Sequence, residues 1–197
     1  MNRIRLIQAI SEAIIPILGV FYFNWGLYFI LLFYFIDLIA SEVFVYIKVN
    51  KIIQFQRINF SFQLRYGRLI FNSLLVLAII IAAHFVILLL SPTISLYEEF
   101  VAFIMYEDTG IPIPQGIILL PLVIFGNLQQ YKAFFIKNGR YRMSSWKELV
   151  FMRRKVLYLT LIGIGLGLVL AYFIVVPAMV YILGIVVVKF WIDLKWG

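Results

Sequence analysis

LIFNSLLVLAIIIAAHFVILLL, Leu69 to Leu90, decides the fold: it holds no Asp, Glu, Lys or Arg and is closed by Ser91-Pro92. A helix of about 20 apolar residues covers the ~30 Å of a bilayer's hydrocarbon, so this stretch predicts a transmembrane helix. Two more apolar stretches precede it, Ile4 to Phe23 and Gly26 to Ile47, separated by Asn24 and Trp25. Three follow: Pro114 to Tyr131, with Pro121 as an expected kink, Val156 to Val176, and Ala178 to Asp193. Pro177 divides the last two so closely that one broken helix is the alternative to two spans. The chain is expected to be a single all-α integral membrane domain over residues 1–197, a bundle of about six transmembrane helices.

Composition points the same way. The chain is 64% hydrophobic and 13% charged, with a mean hydropathy of +1.04, whereas soluble domains run at roughly 45–50% apolar and about 25% charged. Such a chain has too little polar surface to cover itself in water. Met1 to Arg5 is basic, but the apolar stretch after it contains Glu12 and Pro16 and no small-x-small cleavage site, so the first span is expected to stay in the protein. The absence of cysteine excludes disulfides, thiol redox chemistry and thiolate metal sites. His84 is the only histidine, which excludes a His-rich cage; no metal and no cofactor are expected.

The net charge of +8 would suggest nucleic acid in a soluble protein. Here the basic residues gather between the apolar stretches, where membrane orientation and anionic lipid account for them. Arg3 and Arg5 precede the first span; Lys48, Lys51, Arg57, Arg65 and Arg68 surround the second loop. Lys132, Lys137, Arg140, Arg142, Lys147 and Arg153 to Lys155 surround the fourth, and Lys195 follows the last span. The loop from Ser91 to Gln115 carries Glu98, Glu99, Glu107 and Asp108 and no basic residue. Six spans put every basic cluster on one side, so both termini are expected to be cytoplasmic.

Shorter signals fill in the connections. Asn24-Trp25-Gly26 suits a tight hairpin with an interfacial Trp. Apolar residues alternate from Arg57 to Tyr66 with the period of an extended strand, which predicts an extended segment on the membrane surface. Leu96 to Tyr106 reads as a short interfacial helix. Ser145 and Glu148 match a capping box that should start a helix leading through Trp146 and Arg153 into the fifth span. Within that span Gly163, Gly167 and Ala171 recur every fourth residue, a small-residue ridge suited to close helix packing.

An ionisable group at the centre of a spanning helix costs about 2.5–3.5 kcal/mol, so each needs a reason. Asp37 falls near the middle of the second span and His84 in the outer half of the third. Glu12, Glu42, Lys189 and Asp193 fall in the cytoplasmic half of the first, second and sixth. Lys189 and Asp193 are four residues apart and share a helix face; Glu12 or Glu42 is placed to reach the same lysine from a neighbouring helix. Together these six residues are the candidate ligand-binding set, a polar pocket for an ion, a proton or a headgroup. The competing reading makes the charges a neutralising clamp between helices, or Lys189 a snorkelling side chain, and makes His84 a neutral imidazole bonded to another helix.

Absent motifs narrow the classes. No Gly-x-Ser-Gly nucleophile is present, and Ser73 and His84 lie on the same span. Paired intramembrane aspartates and clustered headgroup-transferase aspartates are also missing, and Gly163-Ile164-Gly165 lies in an apolar helix without the strand-turn-helix setting of a nucleotide loop. An enzyme is therefore the less favoured class.

Pro16, Gly19, Trp25, Tyr34, Asp37 and Lys48 give the stretch from Pro16 to Lys48 a pattern that resembles the start of a family of small uncharacterised bacterial membrane proteins, a domain of unknown function. That family shows an aromatic pair and then an acid in its second span, often Tyr-Trp-x-Glu-Asn; here Tyr34-Phe35-Ile36-Asp37-Leu38 keeps the acid but neither the Trp nor the Asn. Its last span tends to end in Lys and then Asp, as Lys189 and Asp193 do. The resemblance implies a multi-pass protein of the bacterial inner membrane and draws attention to Asp37, Lys189 and Asp193. The expected function is binding or transport of a small solute, ion or lipid. A structural or assembly subunit of a larger membrane complex is the alternative, and an intramembrane enzyme comes third. Membrane lipids are the expected partners, with other subunits or further copies of the chain as alternatives, and nucleic acid is not expected.

Overall fold

The computed structural model describes residues 3–58, 62–105, 115–174 and 177–196. Among them the secondary structure is helical, without strands. The elements are α1 (Arg3–Phe23), α2 (Leu27–Gln56), α3 (Phe62–Leu90) and α4 (Leu96–Met105), then α5 (Gln115–Gln130), which continues into a π-helical segment (Tyr131–Ile136). After these come α6 (Arg140–Met143), α7 (Trp146–Phe173) and α8 (Ala178–Trp196). Glu107, Asp108, Pro114 and Val176, used above to orient the chain and bound its spans, lie outside the described residues.

Among the described residues three helices are long and apolar enough to cross a membrane: α2, α3 from Tyr66 onward, and α7. They mark the chain as a membrane protein. Helix α5 is 16 residues long, the apolar part of α1 runs from Glu12 to Phe23, and α8 carries Lys189, Asp193 and Lys195. Helix α3 shows the membrane character most directly. Leu69, Asn72, Val76, Ile79, Ala83 and Ile87 form its buried face, and the opposite face is exposed yet apolar, with Ile70, Leu74, Leu77, Ile81, Phe85 and Leu88. A helix apolar all round belongs in a protein core or in lipid, and this one is exposed.

Helix α2 is the hub. It packs against α3, α4, α5, α7 and α8, while α3 pairs chiefly with α7 and α1 with α8. Its residues Tyr28 to Phe35 form a continuous buried run with Ala83, Ile87, Phe103, Leu119, Ile182 and Val186 around them. Lipid tails are as apolar as leucine, so close packing and interhelical polar contacts, rather than water exclusion, hold such helices together.

Four sequence expectations change in the structure. Helix α2 ends at Gln56 with a left-handed Arg57 (φ 50°) after it, and Phe62 to Tyr66 already belong to α3, so that half of the alternating stretch is helical and not extended; residues 59–61 lie outside the described residues. Helix α7 does begin after Ser145, but no side-chain cap hydrogen bond forms there, so Ser145 marks the boundary without the reciprocal box. Trp25 is 7% exposed and stacked between Phe23 and Phe29. It fills the space left by Gly19, where any Cβ would run into its ring, and is not an interfacial anchor. Finally, a Cβ at Gly167 would meet nothing within 4 Å, and one at Gly163 only Val188 at 4.0 Å. The small-residue ridge borders open space instead of a tightly packed helix.

Candidate functional site

The polar centre is built by three helices. On α8, Lys189 and Asp193 stand one turn apart, and Lys189 Nζ donates to Asp193 Oδ2 at 2.6 Å. The packing of α1 on α8 brings Glu12 Oε2 to 3.2 Å from the same nitrogen, and the contact of α2 with α8 brings Asp37 Oδ2 to 3.1 Å. An ammonium has three N–H donors; two are used by Asp193 and Glu12, and Asp37 joins as an ion pair. Three carboxylates from three helices thus converge on one ammonium.

Asp37 is the deepest member, with 11% of its side chain exposed against 26% for Lys189. Its second oxygen, Oδ1, accepts from Asn127 Nδ2 at 3.4 Å. The same amide donates to Val123 O at 3.1 Å, and its oxygen accepts from Ser41 at 3.2 Å, so α5 fixes the aspartate from behind. One turn before Asp37, Tyr34 is 8% exposed and its buried hydroxyl has no hydrogen-bond partner among the described residues.

Of the six expected residues, the structure brings together Glu12, Asp37, Lys189 and Asp193. Glu42 is held elsewhere: Arg153 Nε donates to its Oε2 at 3.0 Å while Arg153 Nη2 donates to Leu38 O at 2.9 Å. The two-pronged guanidinium thus pins α7 to α2 and removes Glu42 from the lysine's reach. His84 is also separate. Its Nδ1 lies 2.7 Å from Ile80 O; a carbonyl only accepts, so Nδ1 donates, and Nε2 lies 3.0 Å from the Tyr28 hydroxyl. Its ring stacks on Phe35. Ser73 bonds Tyr46 at 2.9 Å and Leu69 O at 3.3 Å, so it does not pair with His84.

Sequence reasoning assigned Arg153 to a basic loop and passed over Asn127 and Asn72. Asn72 is fully buried, donates to Val150 O at 3.3 Å and accepts from Arg154 Nε at 3.0 Å, clamping α3 to α7. The available signal was an amide inside an apolar run, since a buried amide must find partners.

The cluster opens into a cavity of about 920 Å³, near the top of the usual range of ~300–1,000 Å³ for ligand sites. Along α2 it extends from Leu27 to Lys48, about 31 Å of helix. Lys48, Arg140 and Glu148 line one end, and Leu27, Leu90 and Leu170 line the other. Among the described residues no His, Asp and Glu side chains group closely enough to hold a metal ion. No protein-family model, curated protein or solved structure matches this chain.

Proposed function

We propose that the protein crosses the bacterial inner membrane six times, with both termini in the cytoplasm, and binds or moves a small solute, ion or lipid through the pocket around Asp37. The observation that carries this reading is that Asp37, Lys189, Asp193 and Glu12 all line one large cavity. A purely structural subunit calls for a dry, closed interior, and this cluster borders a cavity of about 920 Å³. In the working cycle Lys189 neutralises the carboxylates until a cation, a proton or a substrate charge takes its place. The charges then carry function, as intramembrane ionisable groups commonly do. The basic loops support the orientation, and the resemblance over Pro16 to Lys48 supports the bacterial inner membrane.

The second reading, a structural or assembly subunit, draws on the broad apolar exposure of α7 and α8, where Phe151, Ile162, Leu166 and Val187 are all more than half exposed. Native mass spectrometry of protein extracted gently from its own membrane separates the two. A co-purifying small molecule or lipid is expected; stoichiometric protein partners over an empty interior would retire the pocket in favour of the subunit.

A further inference from the structure

The cavity has two chemically different ends, and the cluster lies where they meet. From Tyr34 toward Leu27 the lining turns apolar, with Leu31, Ile87 and Leu90 on α2 and α3 and Leu166, Leu170 and Val180 on α7 and α8. Leu166, Leu170 and Val180 line the cavity and are nonetheless 62%, 47% and 53% exposed, so its wall is open between α7 and α8. The backbone at Gly167 and Gly184 faces this open space, since a Cβ at either would meet nothing within 4 Å. A molecule with a hydrocarbon tail has a route from the bilayer into this slot without crossing water.

At the inner end of the slot the geometry suits an ammonium. The three carboxylates already surround one, the Nζ of Lys189, at 2.6–3.2 Å. Next to them Tyr34 lines the cavity, its buried hydroxyl without a partner among the described residues. A second phenol, Tyr181 on α8, also lines it, its buried oxygen likewise unpartnered among the described residues. Buried hydroxyls rarely go without partners, and a phenol oxygen is an acceptor for an N–H donor.

We infer that the pocket takes a lipophilic cation, an amphiphile whose single ammonium-type head enters the Glu12, Asp37 and Asp193 cluster beside Tyr34 while its alkyl tail lies in the α7–α8 slot. This rests on the pocket reading above and names its ligand class. The head takes the place of the Lys189 ammonium among the carboxylates, and the tail fills apolar volume that a bare ion would leave empty. The same chemistry is offered by an amine-headed membrane lipid and by a hydrophobic amine from outside.

The test is calorimetric titration of the full chain in phosphatidylcholine nanodiscs with dodecylammonium, corrected with empty discs, beside methylammonium (head alone) and dodecanoate (opposite charge). Dodecylammonium should saturate one site per chain, with the other two probes at least about tenfold weaker. Tyr34→Phe should weaken it about fivefold, the worth of one hydrogen bond, with no loss of thermal stability, which a packing role for the phenol would not predict. Gly167→Phe should fill the slot and abolish binding in a protein that still folds. Repeating the titration with phosphatidylethanolamine in the discs separates the sources: competition marks the membrane's own amine-headed lipid, and unchanged affinity marks a cation from outside. Preference for dodecanoate, or binding that survives both variants, overturns the lipophilic-cation inference and leaves the pocket reading standing. No binding of any probe, together with a protein partner seated on α7 and α8 in native mass spectrometry, overturns both.

Discussion

Lys189 Nζ and Asp37 Oδ2 lie 3.1 Å apart, and this contact joins the last helix to the central one at the point where the cavity changes from polar to apolar. Removing the cation by Lys189→Met leaves three carboxylates facing one another. Breaking a buried ion pair costs roughly 3–5 kcal/mol; with a quarter of the lysine exposed, a loss of about 3 kcal/mol is expected, measured by reversible unfolding in mixed micelles. The double variant Lys189→Met/Asp37→Asn should recover part of that loss, because it removes one of the stranded charges. Strict additivity of the two substitutions would show that the pair is not coupled.

Asp37→Asn alone keeps the shape and leaves Glu12 and Asp193 on Lys189. The protein should retain its fold, with ligand binding or transport reduced by about tenfold or more, roughly 1.4 kcal/mol. Parallel loss of folded protein and activity across detergents would instead assign Asp37 to structure.

Arg153 spans Glu42 and the Leu38 carbonyl at once, a geometry that needs a planar fork. Arg153→Lys should therefore fail to restore wild-type stability, and Arg153→Met should cost about 3 kcal/mol by stranding Glu42. Glu42→Gln in the Arg153→Met background should recover a measurable part of that. A lysine variant as stable as the wild type would show that only the charge is needed.

The glycines divide by what surrounds them. Gly19→Ala drives a methyl into the buried Trp25 ring and Gly116→Ala drives one into the Phe103 carbonyl, so each should lose about 1–3 kcal/mol or more. Gly167→Ala meets nothing and should be neutral or gain up to about 1 kcal/mol from helix propensity. A clear loss at Gly167 in thermal unfolding would return it to a packed helix interface.

The Tyr28 to His84 bond ties α2 to α3. Tyr28→Phe should cost about 1 kcal/mol and leave ligand binding unchanged, since His84 does not line the cavity. A change in affinity at equal stability would bring His84 into the working site.

What the sequence determined by itself is local. Apolar runs of membrane length become helices because backbone N–H and C=O groups in lipid must be satisfied within their own segment, which is why α2, α3 and α7 were legible. The Lys189–Asp193 pair was legible for the same reason, as helical spacing alone puts those side chains together. Only the tertiary structure decided which other charges join them. Glu12 and Glu42 were equivalent candidates in sequence; the packing of α1 on α8 delivered the first, and Arg153 on α7 captured the second. Trp25 likewise turned inward because Gly19 left room for its ring, and the Gly163–Gly167 ridge came to border a slot because α8 packs on α1 and leaves α7 loosely covered. Helices that are apolar on every side carry no stripe to mark the face that turns inward, so helix rotation, and with it the membership of the site, is set by neighbours and not by local pattern.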